Sequence, residues 1–135
     1  MDNLTKTQRS YNMSRIRSKN TKIELMVFKD LRKRKIYFQK HYSKAPGNPD
    51  VALPQKKKAI FINSDFWHGY RFKKWQNKIP REYWQDKIKK NIKRDKRNIR
   101  KLKNDGWKIL IVWEHELKKK PEKSLNRIAE FLRRD

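Results

Sequence analysis

Apolar positions recur along this chain with two periods, and each change of period marks a new element. Thr21 and Glu24 make a Thr-x-x-Glu capping box. Behind it Ile23, Val27 and Leu31 fall at i, i+4 and i+8, one apolar stripe on a helix running to about Lys35. Ahead of it, Thr7 to Ile16 reads as a short basic helix. Tyr37 to His41 has the aromatic content of a strand. Pro46-Gly47-Asn48-Pro49 is the densest turn signal in the chain. Asp50 to Leu53 and Lys58 to Ile62 follow as second and third strands, with Pro54-Gln55 marking the turn between them. Ala59-Ile60-Phe61-Ile62 is apolar without alternation, which suits a central strand covered on both faces.

Glu82 to Asn104 returns to a helical period, with Trp84, Ile88, Ile92, Ile99 and Leu102 on one side. Gly106 stands where a helix C-terminal cap belongs. Trp107 to Trp113 is the strongest strand in the sequence. Pro121 opens a final helix, where its missing N–H is harmless, and Leu125, Ile128 and Leu132 form that helix's apolar face. Strand, long helix and strand in succession imply a parallel pair. The predicted class is therefore α/β, a central mixed sheet flanked by helices.

Composition then narrows the partner. The 135 residues suit one domain, 1–135, with residues 1–20 as a basic N-terminal arm. The 39 Lys+Arg outweigh 14 Asp+Glu, for a net charge of +25. Residues 51–100 alone carry +12, so the middle of the chain is the expected phosphate-facing region. Such a balance points to nucleic acid rather than to a neutral metabolite. Five Trp, five Tyr and six Phe argue against a disordered basic tail. With no cysteine, disulfides, thiolate zinc sites, iron–sulfur clusters and cysteine nucleophiles are excluded. No apolar run is long enough to span a bilayer and no signal-peptide pattern opens the chain, so the expected setting is the cytoplasm, without a membrane.

Candidate chemistry gathers around two loops. Asp50 follows Pro-Gly-Asn-Pro and starts a strand; it reads either as an ordinary turn residue or as a carboxylate aimed at a metal. The third strand runs into Asn63-Ser64-Asp65-Phe66-Trp67-His68-Gly69. Phe66 and Trp67 either pack under the loop or form a wedge that enters a base stack. His68 is either structural or a general acid or base. Glu24 is already accounted for by its capping box.

Six ordered motifs resemble the very short patch repair (Vsr) mismatch endonucleases. They are Asn12-Met13-Ser14-Arg15-Ile16; Ile23-Glu24; Pro46-Gly47-Asn48-Pro49-Asp50; Phe61 with Phe66-Trp67-His68; Trp84-x-x-Lys87-Ile88-x-x-Asn91 with Arg94-Asp95; and Gly106 to Glu114. The resemblance runs from about residue 7 to residue 132. It implies a restriction-endonuclease-like fold of the PD-(D/E)xK superfamily and Mg²⁺-dependent cleavage of one strand of double-stranded DNA, 5′ of the T in a T:G mismatch. It also implies a nucleoid setting and mismatch-repair proteins as partners. By resemblance Asp50 and the main-chain carbonyl of Ile62 bind the metal, Glu24 holds metal-bound water, and His68 is the acid or base. Met13, Phe66 and Trp67 wedge into DNA beside the mismatch. Arg15 belongs with the DNA-binding residues, and Lys87 and Asn91 face the bases. Lys87, Asn91 and Asp95 share one helical face by their i, i+4, i+8 spacing.

The sequence departs from the family at two places. Asn63 stands among the catalytic positions where relatives place His or Asp, and Asn transfers no proton. That departure keeps two rival readings: a DNA-binding protein of this fold that does not cleave, and a restriction-system nuclease of different specificity. The family's zinc-ligand positions fall at Asp65, Tyr70, Phe72 and His115. Tyr and Phe do not make a zinc site, so no structural zinc is expected. An Asp65–His115 hydrogen bond bordered by apolar rings is expected in its place.

Overall fold

A computed structural model describes residues 21–66, 68–75 and 82–134 of the chain. Among these residues helix α1 spans Lys22–Lys33, and strands β1, β2 and β3 span Gln39–Lys40, Val51–Leu53 and Lys58–Asn63. A one-turn helix α2, Phe72–Trp75, precedes the long helix α3, Glu82–Asn104. Strand β4 is Lys108–Trp113, and helices α4 and α5 are Glu114–Lys119 and Pro121–Arg133. The expected Thr7–Ile16 helix lies outside the described residues.

The four strands form one mixed sheet in the order β1-β2-β3-β4. β1–β2 and β2–β3 are antiparallel, and β3–β4 is parallel through the α3 crossover, as strand–helix–strand order requires. β3 therefore has a neighbour on each side, and five of its six residues are buried. Its side chains alternate between faces. Ile60 and Ile62 join Ile23, Val27, Phe28 and Leu31 of α1, Leu117 of α4, and Ile128 and Leu132 of α5 in the main core. Phe61 points to the other face, towards Gly47 and Asn98 of α3. A smaller cluster of Phe72, Trp84 and Ile88 joins α2 to α3.

Three differences from the sequence expectation have local causes. β1 is only two residues long, because His41 takes a left-handed φ of 48° that ends the strand. Pro54–Lys56 forms one 3-10 turn before β3, closed by the Lys57 N–H on the Pro54 carbonyl. The last helix is preceded by a separate helix, Glu114–Lys119, broken from it at Lys120 (φ −135°, ψ 66°). The Gly106 cap is as expected: φ is +84°, and the Trp107 N–H reaches back to the Leu102 carbonyl at 3.0 Å. No described helix is long and apolar enough to cross a membrane.

Lys58 opens the central strand yet is 2% exposed. Its ammonium donates to the Phe131 carbonyl at 2.6 Å and to the Arg134 carbonyl, and lies 5.4 Å from the Phe131 ring centre. A cation there satisfies orphan carbonyls at the negative end of α5. Lys58→Met keeps the apolar stem and leaves those carbonyls unpaired. It is expected to lower unfolding free energy by about 2 kcal/mol. Urea denaturation would show this as a lower midpoint with an unchanged slope.

Candidate active site

The sequence-predicted polar residues fall into two groups of side chains. The first is built by α1 and the β1–β2 hairpin. The Thr21–Glu24 capping box is formed in full: the Glu24 N–H donates to Thr21 Oγ1 at 3.3 Å, and the Thr21 N–H to Glu24 Oε2 at 3.5 Å. The box uses only one Glu24 oxygen. The other, Oε1, lies 2.8 Å from His41 Nε2, and Glu24 is 2% exposed. Asp50 Oδ2 accepts the Ile62 N–H at 2.7 Å, and Oδ1 lies 3.9 Å from His41 Nε2. Each carboxylate thus has one oxygen tied by a backbone N–H and a second turned towards the same imidazole. One ligand atom from each of Glu24, His41 and Asp50 lies within 4.8 Å of the other two, a set that could hold a divalent cation.

Asp50 is placed by its turn. Gly47 has φ +80°, and a Cβ there would sit 3.1 Å from the Phe61 ring and 3.2 Å from Asn98. The positive φ favours glycine here, and its missing side chain lets the turn lie close to Phe61 of β3 and Asn98 of α3. Burial then pushes the Asp50 carboxyl up from 3.8 to about 7; the Ile62 N–H works against that rise and the Glu24 carboxylate adds to it. A carboxyl held this way is a carboxylate short of a cation, which fits a metal ligand.

The stability consequence has a definite sign. Because the folded pKa lies above the unfolded one, protonated Asp50 contributes stability that is complete below pH 3.8 and is lost as pH rises through about 7. Without divalent ions, the wild-type protein should therefore lose stability relative to Asp50→Asn between about pH 4 and pH 7. The loss should be at most about 1.4 kcal/mol per unit. Urea unfolding of both proteins at pH 5 and pH 8 measures it; parallel curves would remove Asp50 as the cause.

The second group lies between the loop after β3 and helix α3. His68 Nδ1 is 2.6 Å from Asp95 Oδ2. Gly69, with φ +69°, brings the loop onto α3: a Cβ there would stand 2.4 Å from Ile92 Cδ1. The loop is closed by the Tyr70 N–H on the Asp65 carbonyl at 2.9 Å and by the Asp65 N–H on Glu114 Oε1 at 3.1 Å. A cavity of about 340 Å³ opens beside His68 and Asp95, lined also by Asn63, Arg71, Lys96 and Trp113. Asn63, 6% exposed, closes β3 immediately after Ile62. β3 thus carries the backbone partner of Asp50 and, one residue later, a wall of the His68 cavity.

Phe66 packs partly buried against the Phe72–Trp84–Ile88 cluster. Lys87 lies over the Trp84 ring at 5.6 Å, and Asn91 is half-buried. Met13, Arg15 and Trp67 lie outside the described residues. The expected Asp65–His115 hydrogen bond is present at 2.9 Å. Tyr70 stands 4.2 Å from the His115 ring and 5.2 Å from Trp113. Phe72 is buried against Trp84 and Ile88 of α3.

Two residues of these groups were not assigned from sequence. His41 was legible in principle, since a turn between antiparallel strands sets its flanking residues opposite each other. Asp95 shares its helical face with Lys87 and Asn91, but which residue it meets depends on the docking of a loop.

A family model described as DNA mismatch endonuclease Vsr matches residues 1–74. The type II nicking enzyme V.NmeAIP of Neisseria meningitidis serogroup A is 37% identical over 133 residues, 95% of this chain and 94% of its own length. The chain belongs to the Vsr family. Its similarity extends to the type II nicking enzyme V.XorIIP of Xanthomonas oryzae pv. oryzae, 36% identical over 86% of each chain. It extends also to the DNA mismatch endonuclease Vsr of Escherichia coli K12, 35% identical over 84% of this chain and 73% of that one. The reading of the chain as an endonuclease of the Vsr type thus stands on nearly its whole length.

Proposed function

We propose that the chain is a Mg²⁺-dependent nicking endonuclease of the PD-(D/E)xK type that cleaves one strand of double-stranded DNA, 5′ of the T in a T:G mismatch. The observation that carries the metal-dependent part is the convergence of one oxygen each from Glu24 and Asp50 beside His41. Oxygen-rich donor sets suit Mg²⁺, which takes few protein ligands and keeps several waters. Asp50, with the Ile62 main chain, would hold the cation directly and Glu24 would hold its water. Bound there, the cation would supply charge neutralisation at the phosphate and a more acidic water.

The chain's own residues do the rest. Asp95 accepts the His68 Nδ1–H and fixes the ring, which leaves Nε2 to exchange a proton with the attacking water or the leaving oxygen. Asn63 cannot move a proton, but its amide can donate a hydrogen bond to a phosphate oxygen in the same cavity. Met13, Phe66 and Trp67 are the proposed wedge, and Lys87, Asn91 and Arg15 the proposed DNA contacts. Lys89, Lys90, Lys93, Lys96, Arg97 and Arg100 are exposed along α3 and extend the basic surface. The domain would comprise residues 1–135 with 1–20 as its arm. It would act in the cytoplasm on nucleoid DNA, alongside mismatch-repair proteins and without structural zinc.

A nicking assay with Mg²⁺ on matched and T:G duplexes tests this reading. A nick 5′ of the mismatched T is expected, and equal cutting of matched DNA would overturn the mismatch preference. Affinity for duplex should also fall steeply with salt. If about six phosphates are neutralised, the slope of log affinity against log salt is near −5. A flat response would remove the basic surface from the interface.

A further inference from the structure

We propose that His41 is the positioning residue of the Glu24 carboxylate. Its imidazole holds Glu24 Oε1 beside Asp50 Oδ1 and so sets the spacing of the two oxygens that would receive the cation. The proposal rests on the divalent-cation reading above and adds a residue to it.

The capping box explains why Glu24 opens α1, but it ties only Oε2. A buried carboxylate still needs a partner for its remaining oxygen. His41 supplies it at 2.8 Å. A carboxylate can only accept, so Nε2 carries the hydrogen and has no lone pair left for a metal. That makes His41 a support of Glu24 rather than a ligand. The same Nε2 is 3.9 Å from Asp50 Oδ1, so one imidazole nitrogen faces both carboxylates.

Three further features hold the ring in this one place. The His41 backbone is left-handed, φ +48°, a conformation His adopts more readily than most side chains and one that concentrates at functional sites. Its N–H donates to the Asp50 carbonyl at 3.0 Å, which ties the ring's backbone to the residue it faces. The ring meets Phe28 edge-on, at 5.7 Å between centres and 81° between planes. Phe28 is fully buried on α1, the helix that carries Glu24. Helix, hairpin and carboxylates are thus joined through one side chain.

The test compares the wild-type protein with His41→Leu, which removes the donor, and His41→Gln, whose amide can donate to Glu24 from a similar reach. Mn²⁺ binding is followed by electron paramagnetic resonance, and nicking by single-turnover and steady-state assays. Loss of an outer-shell partner of this kind typically costs 10- to 100-fold in metal affinity or activity. His41→Leu should weaken Mn²⁺ binding and kcat by about that much while KM for DNA changes less than about twofold. His41→Gln should recover most of both. Wild-type behaviour of His41→Leu would overturn the proposal, as would a His41→Gln protein as impaired as His41→Leu. Should the variants fold poorly by thermal melting, pulsed resonance on wild-type protein with Mn²⁺ decides. A directly bonded imidazole nitrogen in that spectrum would make His41 a ligand and overturn the positioning role, whereas no such coupling is expected. A wild-type protein that binds no Mn²⁺ at all would instead refute the cation reading itself.

Discussion

Asp50→Asn should abolish nicking, by about 10³-fold or more, while the protein still folds and binds DNA. Metal assistance supplies several kcal/mol of transition-state stabilisation, and each 1.36 kcal/mol is about tenfold in rate. The amide oxygen of Asn can still accept the Ile62 N–H, so the link between the turn and β3 survives. What is lost is the anionic oxygen 3.9 Å from His41. Removing a negative charge from a site that receives phosphate should leave DNA affinity unchanged or raise it. Nicking in Mg²⁺ at pH 8 and fluorescence anisotropy in EDTA separate the two effects. An Asp50→Asn protein cutting at the wild-type rate would refute the metal assignment; one that neither cuts nor binds would show that Asp50 is structural.

The second large effect is expected at His68. Removing a general acid or base costs about 10²–10⁴-fold, so His68→Ala should fall in that range. Asp95→Asn should lose less, because the amide oxygen can still accept the Nδ1–H but cannot stabilise a charged imidazole. The two side chains are joined at 2.6 Å and would act as one unit. Units of this kind are non-additive, so the double variant should be no slower than His68→Ala alone. Single-turnover rates of all four proteins complete the cycle. A double variant slowed by the product of the two single losses would mean that Asp95 serves some other purpose.

These predictions draw on different levels of the molecule. The capping box at Thr21–Glu24, the apolar stripe Ile23–Val27–Leu31, the covered strand Lys58–Asn63, the long helix Glu82–Asn104 and the Gly106 cap were all legible along the chain. Each depends on residues within a few positions of one another, and local propensity and period suffice to read it. The helix Glu114–Lys119 was not legible, because its single buried apolar residue, Leu117, makes no period. The two-residue length of β1 was also hidden, since it depends on the left-handed backbone of His41 and on pairing with Val51 and Ala52.

For the site, the sequence by itself determined the chemical inventory: which carboxylates and imidazoles exist, that no thiol is among them, and that the chain carrying them has a net charge of +25. The motifs around Glu24, Asp50 and His68 carried the family. Tertiary structure alone decided who faces whom. It placed His41 facing Glu24 and Asp50, 17 residues from the first in the chain, and it turned Asp95 to His68 across 27 residues. It sent Tyr70 to His115 and Phe72 to the α3 cluster. The reason is that a pairing between distant residues is set by how helices and loops dock. Docking is fixed by packing summed over the whole core, with Gly47 and Gly69 permitting the close approaches, and no local period records it.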